Sequence, residues 1–396
     1  MSIGTAFDPR TAPLNEKHAW QDWWGYHTPV AYADSIDIEY NAVRENAGVI
    51  DVSPLFKYLI EGPDAARLID RVITRDATRL QVDQVYYTPW CDERGKIVDD
   101  GTVCRLDDTT FRWTAAEPNY RWIRMNASGL DVSIRDITTE IGALALQGKR
   151  SRDVLERATG EDWSGLKYFR RRVTTIAGIP VDVTRTGYTG DLGYELWVDA
   201  GRAVDLWDAL FESGRGFQLR PVGNAAMDVL RVEAGLILVD AEFTGVRNAF
   251  SEEQEFSPFE LGLGRLVNLD KRAFVGKQAL AAEQAAGGPR RRLVGMEFDW
   301  DGIERAFEKH GIPTVLYLGT SEEPIPAYAH GRQVGKATSW TWSPNLKKVI
   351  SLGIVSKELA EPGSRLEVEW TVQGVHETVG ATVVELPFFD PPRKRA

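Results

Sequence analysis

Apolar positions along the chain alternate between two periods, and the switches between them mark out its elements. From Ile36 to Gly48, Ile36, Ile38, Tyr40, Val43 and Ala47 are separated by Asp37, Glu39, Arg44 and Glu45, which predicts a helix closed by glycine. Leu55–Ile60 reads as a strand, and Gly62-Pro63-Asp64 leads into a helix over Ala65–Ile73. Gln84–Trp90 and Lys96–Leu106 form an extended pair joined by Cys-Asp-Glu-Arg-Gly, a hairpin closing at Gly95. Ile141–Gln147, Tyr168–Ile176, Gly178–Thr184 and Tyr194–Val198 read as strands; Ser151–Thr159, Ala203–Glu212 and Asn224–Ala234 read as helices.

The pattern changes after Gln284-Ala-Ala-Gly-Gly-Pro-Arg-Arg-Arg292, whose composition is that of a linker. Beyond it Leu293–Phe298, Ala327–His330, Gly335–Trp340, Val349–Val355, Arg365–Val372 and Thr378–Leu386 predict an all-β, barrel-like module. The expected division is a region over 1–285 made of two lobes, a β module over 293–390, and a disordered tail over 391–396. The expected fold class is α+β.

The whole chain has 396 residues, 43% hydrophobic and 27% charged, ample for a large buried core. Its formal net charge of −11 argues against nucleic acid or an anionic membrane surface as partner. Two cysteines and five scattered histidines predict neither a disulfide framework nor a metal site. There is no apolar leader and no run near the ~18 residues of a membrane span, so cytoplasmic residence is expected.

The most specific segment is Arg185-Thr-Gly-Tyr-Thr-Gly-Asp-Leu-Gly-Tyr-Glu195. Three glycines at a spacing of three allow a tight turn and close backbone approach. A glutamate at its end can accept paired N–H bonds from a flat polar ring. A glycine-rich turn with an incidental acid fits the spacing equally well. Elsewhere Asp99 and Asp100 are adjacent on a predicted strand, so their side chains face opposite ways and one pocket can receive only one of them.

This segment resembles the Gly-Tyr-Thr-Gly-Glu-x-Gly-Tyr/Phe-Glu motif of the aminomethyltransferase family, which includes the glycine-cleavage T-protein. The likeness runs the length of the chain. Tyr40–Ser53, Gly95–Asp100, Met227–Gly235, Phe274–Leu280, Val334–Trp340 and Ser343–Leu346 each resemble a family motif, in the same order. The resemblance implies two intertwined α/β lobes and a C-terminal barrel around a central tetrahydrofolate cavity. It implies Glu195 as the residue that recognises the pterin, Asp99 as the carboxylate near the reacting nitrogens, and Tyr87 and Tyr188 as cavity walls. Arg231 would bind a carboxylate of the folate or the donor; alternatively it pairs with Glu233 or Asp228.

Departures from the T-protein pattern bear on the donor. Met227 stands where the family has an arginine, Trp113–Asn119 replaces a Val-Asn-Ala-Ser-Asn segment, and Pro54-Leu55 replaces His-Met. Trp113–Pro118 and Ser257–Val267 resemble folate-dependent demethylases of dimethylsulfoniopropionate or aryl methyl ethers. The aromatics Trp20, Trp23, Trp24, Tyr26, Tyr32 and Tyr40 offer faces for an onium donor, or cover the core. The expected function is methyl transfer from a small methylated compound to tetrahydrofolate, by a monomer or homodimer. The alternatives are glycine-cleavage aminomethyl transfer and, without catalysis, folate binding like the relative in iron–sulfur assembly. The cysteine motif of that last relative is missing here.

Overall fold

The computed structural model describes residues 2–316 and 319–395, so Ala396 of the expected tail lies outside it. Three large sheets organise the described residues, beside a two-stranded hairpin of Trp20–Trp23 and Tyr26–Pro29. A six-stranded sheet runs in the order Arg171–Ile176, Ile179–Thr184, Gly193–Asp199, Ile141–Gln147, Gly48–Asp51, Arg220–Pro221. A five-stranded sheet runs Val85–Cys91, Ile97–Arg105, Thr110–Ala115, Phe56–Glu61, Ser133–Asp136. All five of its strands fall in sequence between Gly48–Asp51 and Ile141–Gln147, which pair side by side. One lobe is therefore inserted into the other, and the intertwining follows from chain order.

Each lobe has its own apolar core. Leu144, Leu146, Val183, Leu196 and Trp163 are fully buried with helices Ser151–Thr159 and Ala203–Gly214 in one; Tyr58, Leu68, Trp90 and Trp113 fill the other. Burial of this apolar area, at roughly 25 cal/mol per Å², holds each lobe. Polar links join them. Arg112 of the five-stranded sheet donates to Asp182 of the six-stranded sheet at 2.5 Å, and its guanidinium lies 4.1 Å over the Trp197 ring.

The C-terminal module closes into a six-stranded barrel: Ile325–Ala329, Arg332–Ser343, Lys348–Ser356, Arg291–Phe298, Val375–Val384, Arg365–Val372 and back to the first. The expectation of an all-β module is corrected. Helix Trp300–Glu308 buries Ile303, Ala306 and Phe307 against the barrel core. The i, i+4 pair Ile303/Phe307 was a helical signal that the surrounding strands obscured.

The expectation of a disordered tail is corrected. Arg393 makes a bidentate pair with Asp191 at 2.7 and 2.8 Å, and the Phe389 N–H donates to Glu233 O at 2.8 Å. Among the described residues no helix is long and apolar enough to cross a membrane.

Candidate functional site

The glycine turn is set by what lies beneath it. The buried Gln147 amide packs so close that a Cβ on Gly187 or Gly193 would sit 2.0 and 2.3 Å from it. Gly190 is required for a different reason, φ of +70°, and a Cβ there would also meet Ala234 at 2.5 Å. The turn is clamped from outside as well. Asp191 receives Arg44 at 3.2 Å and the two Arg393 bonds; Arg44 in turn donates to Glu233 at 2.7 Å.

This rigid turn presents Tyr188 and Glu195, both partly exposed. The Tyr188 hydroxyl donates to Ile237 O, which fixes the ring. Glu195 Oε2 accepts from Thr186 at 2.5 Å and Thr184 at 3.4 Å. Among the described residues its Oε1 has no hydrogen-bond partner, so one carboxylate oxygen remains for a ligand. Burial raises the Glu195 pKa, while the threonine bonds and the nearby Arg112 charge pull it back.

On the five-stranded sheet the two aspartates point opposite ways, and Asp100 takes the side of Tyr87. Asp99 is completely buried behind the strand. It accepts from Asp100 N at 2.8 Å, Glu117 N at 3.1 Å and Asn119 Nδ2 at 2.6 Å. Asp100 is partly exposed and hydrogen-bonded to the Tyr87 hydroxyl. Cross-strand register explains this: Tyr87 lies opposite Thr102, two residues and therefore one face from Asp100, whereas Asp99 lies opposite the buried Trp90. Asp99, which the resemblance implies as the carboxylate near the reacting nitrogens, is thus buried with three internal donors; no pattern of two adjacent acids reveals which face is inside. Burial raises Asp100 to about 6, with the Tyr87 bond opposing. The charge of Asp100 reaches both Tyr87 and Tyr188, raising each phenol after the larger effect of burial.

Arg231 is fully buried and already neutralised. It bonds Glu242 at 2.8 Å, Glu322 at 3.1 Å and Ser339 at 3.1 Å, with Asp228 at 3.5 Å. Of the two sequence alternatives, pairing wins over carboxylate binding, and its main partner is Glu242. Glu233 is occupied by Arg44 and Tyr40. Glu242 was not singled out in the sequence because it lies in an irregular stretch after the helix. Asp228, raised by burial to about 7 despite Arg231, is a further buried acid beside this arginine that the pattern did not mark.

Of the N-terminal aromatics, Tyr32 and Tyr40 are buried in structural roles, and Trp20 packs edge-on against His27. Trp24 is 44% exposed and packs edge-on against Phe56. Met227 is buried beside Tyr40, Val43 and Leu230, with Trp23 and Tyr188 packed against that group. The described residues contain no group of three His, Cys, Asp or Glu side chains placed to hold a metal.

A two-lobed, insertion-built α+β region followed by a barrel, and carrying a tight glycine turn, a carboxylate oxygen without an internal partner and a Tyr–Asp pair, is the arrangement to be matched with known families. Residues 11–271 match the GCVT N-terminal domain, and residues 291–390 match the glycine cleavage T-protein C-terminal barrel domain. The chain belongs to the glycine-cleavage T-protein family, whose members are tetrahydrofolate-dependent one-carbon transferases. It is 37% identical over 374 residues to an aminomethyltransferase of Shouchella clausii, covering 93% of each chain. It is 35% identical to an aminomethyltransferase of Moorella thermoacetica, covering 98% of this chain and all of that one. The glycine cleavage system aminomethyltransferase T of Bartonella henselae has the same fold, with a TM-score of 0.83 and 23% identity over 98% of this chain.

Proposed function

We propose that this chain is an aminomethyltransferase that moves a one-carbon unit at the methylene level onto tetrahydrofolate. Full-length relatives above one-third identity bear that name, and the cavity residues fit a reduced pterin. The observation that carries the reading is Glu195: held by Thr186 through one oxygen, open at the other, at the end of a turn too tight to shift. That arrangement suits a ring edge with two N–H donors, at a charge-assisted strength of ~1.5–3 kcal/mol.

Folate supplies the nucleophilic nitrogens that accept the carbon. Tyr87 and Tyr188 flank the ligand. Asp100 takes the proton of the first nitrogen to bond the carbon and returns it to the departing amine, which leaves as ammonia. It then takes the proton of the second nitrogen as the C–S bond breaks, that proton ending on the lipoyl thiol. With its pKa near 6, Asp100 is mostly ionised at neutral pH yet basic enough for that task. Tyr87 keeps the carboxylate oriented. Asp99 has no such access and acts as a buried brace for the Glu117–Asn119 turn.

Incubation with aminomethyl-lipoyl carrier protein and tetrahydrofolate tests the proposal; methylenetetrahydrofolate and ammonia in equal amounts are expected. A second reading, methyl transfer from a free methylated compound, draws on Met227, which puts an apolar side chain where the family carries an arginine. Formation of 5-methyltetrahydrofolate from such a donor, with no ammonia from the carrier, would replace the first reading by the second.

A further inference from the structure

The Trp113–Asn119 segment, which departs from the family pattern, contributes a buried carboxylate that organises a second cavity. Glu117 is 1% exposed, and its N–H donates to Asp99 at 3.1 Å. Its carboxylate accepts from Asn248 Nδ2 at 2.7 Å and from Arg247 Nη2 at 3.4 Å. Val246 N donates to Ile97 O at 2.8 Å. A Cβ on Gly245 would meet Val98 O at 2.6 Å and Glu117 Oε2 at 2.8 Å, so only glycine lets this loop press onto the strand.

The loop walls a cavity of about 630 Å³ whose lining includes Asp240, Thr244, Arg247, Asn248, Phe250 and Gln254. Both signs of charge are present there, and neither is used up. Asp240 is exposed, and among the described residues no cation lies within ion-pair distance of its carboxylate. Arg247 donates to Pro118 O at 2.8 Å and reaches Glu117 only through the 3.4 Å contact, so further N–H groups of its fork stay open. Phe250 is 97% exposed, yet its position is fixed, because its N–H donates to Gln254 Oε1 at 2.7 Å. An acid alone would take any amine, and an arginine alone any anion. An acid, an arginine and an aromatic wall in one cavity match a molecule that carries an ammonium, a carboxylate and an apolar group together.

We infer that this cavity binds a free apolar amino acid, with its ammonium on Asp240, its carboxylate on Arg247 and its side chain against Phe250. Thr244 and Asn248 add a hydroxyl and an amide oxygen that can accept the remaining ammonium N–H groups. None of these residues belongs to the folate site, so the inference stands apart from the folate reading.

Calorimetric titration of the full chain with leucine, isocaproate and isoamylamine tests it, because the last two each lack one of leucine's charged groups. Leucine is expected to bind about tenfold tighter than either, the lower end of what a charge-assisted hydrogen bond provides. Asp240→Asn suits the left-handed backbone there, φ of +68°, and so keeps the fold. It should weaken leucine about tenfold and leave isocaproate within about twofold. Arg247→Gln should weaken leucine as much and leave isoamylamine within about twofold. Phe250→Ala should lower leucine affinity toward that of glycine. Leucine binding no tighter than its two analogues, leucine affinity unchanged in a folded Asp240→Asn variant, or no heat with any of the three overturns the site.

Discussion

The backbone N–H of Asp100 donates to Oδ1 of Asp99 at 2.8 Å, so two neighbouring carboxylates on one strand are joined through backbone while their side chains occupy opposite faces. One is a structural acceptor with three internal donors; the other, partly exposed, bonds Tyr87. Substitution should separate the two roles. Asp100→Asn is expected to lower turnover by about 10²-fold with folding intact. Asp99→Asn sets an amide against a donor and should cost ~1–3 kcal/mol of stability. Turnover and thermal melts of both variants check this; loss of turnover in Asp99→Asn without loss of stability would reverse the assignment.

The Asp100 pKa, raised by burial from the ordinary 3.8 to about 6, has two consequences with opposite signs. As a proton acceptor it must be ionised, so turnover should rise with pH through about 6, and that limb should vanish in Asp100→Asn. For stability, the folded state holds this proton more tightly than the unfolded state. The contribution is full below 3.8 and is lost as pH rises through 6. Asp100→Asn should therefore be more stable than the unaltered protein at pH 7–8, by on the order of 1 kcal/mol. A melt series from pH 5 to 8 showing no such gain argues against the raised pKa.

Glu195→Gln preserves shape and the threonine contacts but removes the charged acceptor. Affinity for 5-formyltetrahydrofolate should fall by ~1.5–3 kcal/mol, a factor of roughly 10–150. Calorimetry on a variant with an unchanged melt is the measurement; unchanged affinity removes Glu195 from the site.

Arg393 secures the glycine turn through Asp191, which is completely enclosed. Arg393→Ala leaves Asp191 with Arg44 as its remaining cation, at 3.2 Å. Loss of ~1–3 kcal/mol of stability is expected for a buried charge left short of partners. Folate affinity should fall with it, because Tyr188 and Glu195 ride on that turn. A double-mutant cycle of Arg393→Ala with Asp191→Asn should show coupling above ~0.5 kcal/mol; additive effects would mean the tail merely rests on the turn.

Local physics was legible in the residues. Ile141–Gln147 and Ser151–Thr159 form at the boundaries their periodicity predicts, as does Arg365–Val372, because strand and helix periods are properties of consecutive side chains. The glycine turn and its Glu195 were visible too, since a positive φ and a close approach both demand glycine. What the sequence could not decide was set by partners distant along the chain. The facing of Asp99 and Asp100 depends on which side of the hairpin Trp90 and Asn119 fill. The fate of Arg231 depends on Glu242 and on Glu322 and Ser339 of the C-terminal module. The tail is anchored by contacts such as Arg393 with Asp191, 202 residues away, which no local pattern could announce. Periodicity records which residues are buried; charge pairing and side-chain facing across a cavity arise only when three sheets close around it, and that closure is written in tertiary contacts alone.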